Sequence, residues 1–317
     1  ALAGLLLPRA LALPAIVLFL LAFGLFNGMQ GVMFNFLMSK IIPVSRRGRL
    51  TGMRNFLAGI TSALVAGAGG VWLVGDAPDP AGYSLVFLLA FVLTSCGLLS
   101  LLLIREPEPP SVKPRTSLPD RMGELPALLR DDPAFTRYLV ARSVATLGRM
   151  AVPFYVIYAG ARTELDGGTL GWLTVAFTLA GTVSNLVWGV LADRHGFRSV
   201  FLVATALWAI ATALLMGGDG LVVFLVVFGA IGAAFQGFQH ASMNLTLEFG
   251  HRDDLPVRIA VANTGSELAG AVGPLLGGVL AAALGYEAVF WASIAFLVAG
   301  GLTVYRFVPE PRPAPAP

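Results

Sequence analysis

The chain has 317 residues, of which 56% are hydrophobic and only 12% are charged. Soluble domains carry about 25% charged residues, so this composition excludes a water-soluble globular protein and indicates one that spans a membrane several times. The formal net charge of +3 gives no indication of nucleic-acid binding, because in a membrane protein the loops that hold the basic residues carry the information. A single cysteine, Cys96, leaves no disulfide or thiolate metal site within the chain.

Apolar runs of membrane-spanning length follow one another along almost the whole sequence. At roughly 20 residues per span, about nine can be placed, and residues 1–8 resemble the end of a further one. The predicted spans are 12–39, 51–75, 83–104, 134–160, 168–191, 199–217, 220–246, 257–284 and 286–306. Ala1 begins inside an apolar stretch and no methionine precedes it, so we expect that the beginning of the protein is missing. A repeat that relates residues 82–87 to 285–290 leads us to expect that most of three earlier helices are absent.

A polar segment rich in proline and in charges of both signs interrupts these runs between Arg105 and Pro133. Such a composition is typical of a solvated linker. Within it, the spacing of Met122, Leu125, Leu128 and Leu129 predicts a short amphipathic helix on the membrane surface. The predicted organisation is a remnant of an N-terminal half at 1–104, a linker at 105–133, a six-helix half at 134–308 and a tail at 309–317.

Basic residues are distributed unevenly between the two sets of alternate loops. Most of the 21 lysines and arginines lie in one set, which includes the linker and the residues after the last span, whereas the other set is acidic. Lys and Arg accumulate on the cytoplasmic side, so the linker and the C-terminus are predicted to be cytoplasmic.

An internal repeat is also visible in the sequence. Gly-Tyr-x-x-Val-Phe occurs at 82–87 and again at 285–290, and each copy is followed by a span, an arginine and Pro-Glu-Pro. The first three spans therefore repeat the last three. Parallel repeats of this kind are typical of transporters.

Between the fifth and sixth predicted spans stands the sequence Gly-Val-Leu-Ala-Asp-Arg-His-Gly-Phe-Arg, at 189–198. It resembles the signature G-x-L-a-D-R-x-G-R-[KR] of the major facilitator superfamily, in the copy that joins helices eight and nine, and departs from it at Phe197. The resemblance implies an all-α polytopic membrane protein with a bundle of the major facilitator type. The predicted spans would then be helices four to twelve, with a complete C-terminal six-helix half.

The same resemblance implies a cytoplasmic latch. Asp193 would meet the positive N-terminus of helix five, which begins near Leu50 and carries Arg54, while Gly189 allows close helix approach and Gly196 a sharp turn. The alternative is a simple positively charged turn. The predicted gating residues are Gly189, Asp193, Arg194, Gly196, Arg198 and Arg54.

Polar residues inside the spans fall on helices four, five, seven, eight, ten and eleven, which are predicted to enclose a cavity because polar groups avoid lipid. Glu267 is the only carboxylate well inside a span. It lies about 15 Å from the start of its helix at 1.5 Å per residue, and Arg149 reaches a similar depth. Since an unpaired charge there is costly, the two are predicted to lie together or to be bridged. They would either exchange a proton or form a fixed structural pair.

The predicted substrate or proton pathway collects the polar residues of these spans. They are Arg149, Glu267, His240, Gln236, Gln239, Asn185, Asn263, Gln30 and Asn27. No second histidine or carboxylate accompanies His240 at ligand spacing, so neither a metal nor another cofactor is predicted.

The family resemblance implies a secondary active transporter that moves a small molecule by alternating access and is coupled to H⁺, not an enzyme. We expect a monomer in the lipid bilayer of a bacterial inner membrane, with no nucleic-acid partner. Symport and antiport stay open. The alternatives are a polytopic enzyme acting on a lipid-linked substrate and a transporter-like sensor without turnover.

Overall fold

The computed structural model describes residues 9–69, 80–104, 118–163, 167–250 and 254–310, and within these ranges it contains helices and no strands. The all-α prediction is therefore confirmed. The helices are α1 (Arg9–Ile41), α2 (Val44–Gly69), α3 (Pro80–Ser100), α4 (Leu118–Asp131), α5 (Pro133–Leu147), α6 (Val152–Gly160), α7 (Gly167–Gly217), α8 (Leu221–Thr246), α9 (Leu255–Leu284) and α10 (Tyr286–Phe307). Short 3₁₀ turns lie at Leu101–Leu103 and Gly148–Ala151.

Six helical segments in the described part of the chain are long and apolar enough to cross a membrane. They are Pro14–Met38, Ser84–Leu103, Gly171–Gly217, Leu221–Thr246, Leu255–Leu284 and Tyr286–Phe307. The third has 47 residues, enough for two spans of about 20 residues. The predicted span 51–75 is not among them: its helix, α2, begins in an arginine-rich stretch, and residues 70–75 lie outside the described ranges.

A bend at Gly196 divides α7 into two arms, 167–195 and 197–217, which we call α7a and α7b. Gly196 has φ 80° and ψ 162°, a left-handed conformation that costs glycine little because it lacks a Cβ. The turn predicted between the fifth and sixth spans therefore lies at this residue.

The predicted span 134–160 is broken in the middle, into α5, the 3₁₀ turn Gly148–Ala151 and α6. Pro153 stands in the first turn of α6, and since proline has no N–H it cannot donate to the carbonyl of Arg149 four residues earlier. In the same turn, the carbonyl of Gly148 accepts a hydrogen bond of 2.7 Å from Ser293 Oγ on α10. Arg149 thus lies on a helix break that α10 holds in place.

Two compact units make up the chain: residues 1–41 with 57–111, and residues 42–56 with 112–317. In the described part of the first unit, α1 and α3 expose long apolar faces, as expected for helices in lipid. The second unit has a core of aromatic and small residues, which includes the fully buried Trp208, Tyr138 and Phe201. The four parts predicted from the sequence stay a prediction.

The amphipathic helix predicted in the linker is present as α4. Leu128 and Leu129 pack against the core of the second unit, so the end of this helix lies against protein. Asp132 then caps α5, because its Oδ1 accepts from the N–H of Phe135 at 3.0 Å. Its Oδ2 lies 2.6 Å from Nη1 of Arg258, and this pair ties the start of α5 to the start of α9.

Candidate functional site

Asp193, at the end of α7a, binds the start of α2 with both carboxylate oxygens. Oδ1 accepts from the N–H of Gly48 and Oδ2 from the N–H of Arg49, each at 2.8 Å. Backbone N–H groups near a helix start carry a partial positive charge that attracts carboxylates. The predicted contact between Asp193 and helix five is therefore present in the second unit, and its gating role stays a prediction.

Arg54, predicted to take part in the same contact, is hydrogen-bonded to its neighbour Asn55. Its Nε and Nη2 donate to Asn55 Oδ1 at 3.2 and 2.8 Å, and Asn55 Nδ2 donates to Asn185 Oδ1 at 3.4 Å. The described hydrogen bonds thus connect Arg54 to α7a through Asn55, while the Asp193 carboxylate accepts from the backbone N–H groups of Gly48 and Arg49.

Three glycines allow α2 and α7a to cross at very short distance. A Cβ on Gly189 would lie 2.8 Å from the carbonyl oxygen of Gly48, and one on Gly52 would lie 3.1 Å from Cα of Gly189. Gly189 is the predicted residue of this crossing, whereas Gly48 and Gly52 were not predicted. The spacing Gly48-x-x-x-Gly52 was the available signal, since small residues four apart mark close helix contacts in membranes.

Arg198 caps another helix end. Its Nε and Nη2 donate to the carbonyls of Val308 and Tyr305, at 2.7 and 2.8 Å. The last carbonyls of a helix lack internal partners and carry partial negative charge, so a guanidinium stabilises the end of α10. Arg194, by contrast, is exposed. The motif therefore joins one helix start through Asp193 and one helix end through Arg198.

Arg149 and Glu267 lie together, as predicted. Their Nη1 and Oε1 atoms are 3.9 Å apart, and the two side chains are 28% and 71% exposed. Charge-assisted hydrogen bonds are shorter, about 2.7–2.9 Å, so this ion pair is loose. The guanidinium carbon of Arg149 lies 5.9 Å from the ring centroid of Phe235 on α8. Gly270 leaves room for it, since a Cβ there would lie 3.1 Å from Arg149 Nη1.

Arg142 lies about two turns before Arg149, nearer the start of α5, and its surroundings differ sharply. It is 7% exposed, and its Nη1 and Nη2 donate to Thr246 Oγ1 and Asn263 Oδ1, both at 3.1 Å. Beside it, the hydroxyl of Tyr138 donates to the carbonyl of Ser242 at 2.5 Å. Arg142 is therefore a fixed crosslink between α5, α8 and α9, and Asn263 is one of its partners.

Glu267 does not share the apolar face of α9. At 100° per residue, Asn263, Gly270 and Pro274 lie within about 60° of it around the helix axis. Between residues 268 and 279, the large exposed apolar residues of α9 are centred about 120° away; they are Leu268, Val272, Leu275, Leu276 and Val279. The carboxylate thus lies in a sector of polar and small residues, as a residue that lines a polar cavity would.

The remaining predicted pathway residues lie in different surroundings. Asn185 is 2% exposed and belongs to the hydrogen bonds around Arg54. His240 is 3% exposed, its ring centroid lies 5.6 Å from that of Phe197, and neither ring nitrogen is hydrogen-bonded within the described residues.

The four other predicted pathway residues are more exposed. On α8, Gln236 is half-buried and Gln239 is exposed, and on α1 of the first unit Asn27 and Gln30 are exposed.

The family model described as Major Facilitator Superfamily matches residues 138–317. The chain therefore belongs to the major facilitator superfamily, a family of multi-pass integral membrane transporters. The predicted family and fold class are confirmed.

Among curated relatives, the Tetracenomycin C resistance and export protein of Streptomyces glaucescens is 35% identical over 136 residues, which are 41% of this chain and 25% of that protein. Multidrug resistance protein D of Escherichia coli is 24% identical over 177 residues, 55% of this chain and 45% of that protein. The chain thus spans less than half the length of these relatives.

A solved structure has the same fold. It is the crystal structure of a bacterial homologue of the iron transporter ferroportin in an outward-facing state, with a TM-score of 0.60, 14% sequence identity, and coverage of 85% of this chain and 66% of that one.

Proposed function

We propose that the protein is a secondary active transporter that moves a small molecule by alternating access, with a proton exchanged at Glu267. The observation that carries this proposal is the loose ion pair: Arg149 Nη1 and Glu267 Oε1 are 3.9 Å apart, and Glu267 is 71% exposed. A carboxylate inside a membrane-spanning helix is costly in free energy, so such a residue usually marks a functional site. A loose pair can change partners during a transport cycle.

The alternative role for this pair, a fixed structural crosslink, predicts short bonds and burial. Arg142 and Arg258 have both, since each is at most 7% exposed and hydrogen-bonded to side chains at 3.1 Å or less. Arg149 has neither. The contrast between arginines of one bundle therefore supports an exchangeable pair.

We also propose that the bonds of Asp193 to Gly48 and Arg49 form the cytoplasmic latch and that they break once per cycle. In this proposal Gln236 and Gln239 line the pathway next to Phe235, and the linker and C-terminus lie in the cytoplasm of a bacterial cell. The names of the two curated relatives, which refer to resistance and export, support transport of a small organic compound.

The proposal is tested in proteoliposomes that contain a trapped pH-sensitive dye and an imposed pH gradient. Three aromatic probes of different charge are used: 2-naphthoate, 2-naphthamide and tetraphenylphosphonium. We expect flux of at least one probe together with protons. Glu267→Gln should abolish the proton flux, because an amide does not titrate in this range, and Glu267→Asp should retain part of it.

Asp131→Asn is the control, since it removes an exposed carboxylate of α4 and should change nothing. If probe flux in Glu267→Gln stays fully dependent on the pH gradient, the proton role is wrong. Probe binding without flux would indicate the sensor alternative.

A further inference from the structure

We propose that the Arg149–Glu267 site selects small aromatic molecules that carry a negative charge, and that binding of this anion and protonation of Glu267 favour each other. The inference rests on the proposed function in one respect, that the pair forms the transport site. It does not require that protons drive transport.

The charge of the Arg149–Glu267 pair disfavours cations. Arginine stays protonated in proteins and glutamate is either charged or neutral, so the pair has a net charge of zero or +1 and never a negative one. A cation would have to displace Arg149 from Glu267, or would meet an uncompensated positive charge.

Neighbouring elements do not change this balance. The elements that pack against α9 are α5, the 3₁₀ turn, α8 and α10. The side chains with ionisable acidic or basic groups that they contribute, apart from tyrosines, are Arg137 and Arg142 on α5, Arg149 on the turn, His240 on α8, and Glu287 and Arg306 in the first and last turns of α10. The described surroundings of the pair therefore contain no second acid near the middle of the membrane.

The guanidinium of Arg149 has hydrogen-bond donors that are available to a ligand. A guanidinium has five N–H donors in a planar fork that matches a carboxylate. Within the described residues no hydrogen bond uses any of those of Arg149, whose side chain is 28% exposed. An anion can therefore bind Arg149 without breaking a hydrogen bond of the protein, which is not true of Arg142.

Aromatic side chains lie beside the guanidinium of Arg149. Phe235 is half-buried, and its ring centroid lies 6.1 Å from that of Phe177 and 5.4 Å from that of the buried Trp208. Aromatic rings pack favourably in offset or tilted geometry at such distances. A ligand whose acidic group reaches Arg149 can place a ring against Phe235 and Phe177.

The sign of the coupling follows from the 3.9 Å separation of the pair. Ionised Glu267 repels an anion and competes with it for Arg149, whereas protonated Glu267 does neither. Because coupling between two binding events is reciprocal, the bound anion raises the proton affinity of Glu267. A cation would have the opposite effect. If ligand binding and protonation favour each other, the ligand and the proton should cross the membrane in the same direction. If they oppose each other, the ligand should cross in exchange for the proton.

The test measures equilibrium binding of 2-naphthoate, 2-naphthamide and tetraphenylphosphonium to the protein in lipid nanodiscs, near neutral pH. We expect 2-naphthoate to bind most tightly. Glu267→Gln should strengthen 2-naphthoate binding about tenfold, at the low end of typical coupling factors, and leave 2-naphthamide unchanged. Arg149→Gln should remove the preference for the anion over the amide, and Phe235→Leu should weaken the binding of both naphthyl probes.

Arg130→Gln is the matched control, because it removes one exposed positive charge from α4 and should leave all three affinities unchanged. A gain of affinity in Glu267→Gln is not an effect of misfolding, so the proposal remains testable even if Arg149→Gln folds poorly. Equal binding of 2-naphthoate and 2-naphthamide, tighter binding of tetraphenylphosphonium, or weaker 2-naphthoate binding in Glu267→Gln would each overturn it.

The two proposals fail separately. If Glu267→Gln loses proton flux but wild-type protein does not prefer 2-naphthoate, the ligand class is wrong and the proposed function stands. If 2-naphthoate is preferred and its flux in Glu267→Gln stays dependent on the pH gradient, the proton role is wrong and the ligand class stands.

Discussion

At the scale of single residues, the arginines of the second unit have different functions although their chemistry is the same. Arg142 and Arg258 are buried with short bonds to neighbouring helices, Arg198 caps the end of α10, and Arg149 holds a loose pair with Glu267. Burying a guanidinium stabilises a structure only if its donors are satisfied. Burial and short contacts thus distinguish Arg142 and Arg258 from Arg149, which is 28% exposed and 3.9 Å from its partner.

This difference predicts that substitution of Arg142 lowers stability much more than substitution of Arg149. Arg142→Gln should lower the free energy of unfolding by about 1–3 kcal/mol, the usual result of leaving buried polar partners without their bonds. Arg149→Gln should change it by less than about 0.5 kcal/mol, as for partly exposed pairs. The measurement is thermal unfolding in detergent, and equal losses in the two variants would contradict the assignment.

Asp193→Asn should loosen the contact between α7a and the start of α2. In Asp193→Asn the side chain keeps one acceptor oxygen but loses its charge, so its contact with the start of α2 should weaken. Thr51, 5% exposed on α2, provides the probe: Thr51→Cys, in a Cys96→Ser background, should react faster with a membrane-impermeant maleimide when Asp193→Asn is present.

The exposed neighbour His195 supplies the control, since His195→Gln should leave the labelling rate of Thr51→Cys unchanged. An unchanged rate in Asp193→Asn would indicate that the carboxylate is not a latch.

At the scale of elements, glycines decide how closely the helices approach. On α9, a Cβ at Gly277 would lie 2.9 Å from the carbonyl oxygen of Met150 and 3.1 Å from Phe154, whereas one at Gly278 meets nothing within 4 Å. The backbone of the 3₁₀ turn that carries Arg149 therefore packs directly on α9.

Gly277→Ala should then lower the free energy of unfolding by about 1–3 kcal/mol, as expected when a methyl group is forced into a well-packed contact. It should also displace the turn and so impair 2-naphthoate binding at Arg149. Gly278→Ala is an ideal control because it adds the same methyl group one residue away without a contact. Equal thermal stability and equal probe affinity in the two variants would show that this packing is not important.

At the scale of the whole molecule, the second unit unites the start of α2 with α4–α10 through bonds at helix ends. Asp193 binds the start of α2, Arg198 the end of α10, and the Asp132–Arg258 pair connects the starts of α5 and α9. Bonds at helix ends can open without disturbing the packing of the helices themselves. Such a unit suits a transporter, whose helices move as packed groups.

The fold class and the family could be predicted from the sequence. The apolar runs predicted the long helices, because every backbone polar group in lipid must be bonded within its own helix, and residues 189–198 identified the family. The depth of Glu267 and Arg149, each counted from its helix start, was enough to predict that they meet, since the rise per residue is constant. The contact of Asp193 with the start of helix five was equally predictable from the motif.

The partners of the polar side chains could not be predicted from the sequence. The break at Gly148–Ala151, the partners of Arg142, the crossing of Gly48 and Gly52 with Gly189, and the looseness of the Arg149–Glu267 pair all depend on how helices distant in sequence are rotated against each other. Helical periodicity predicts which residues share a face. It does not predict the rotation of the facing helix, so hydrogen-bond partners and their distances follow from the packing alone.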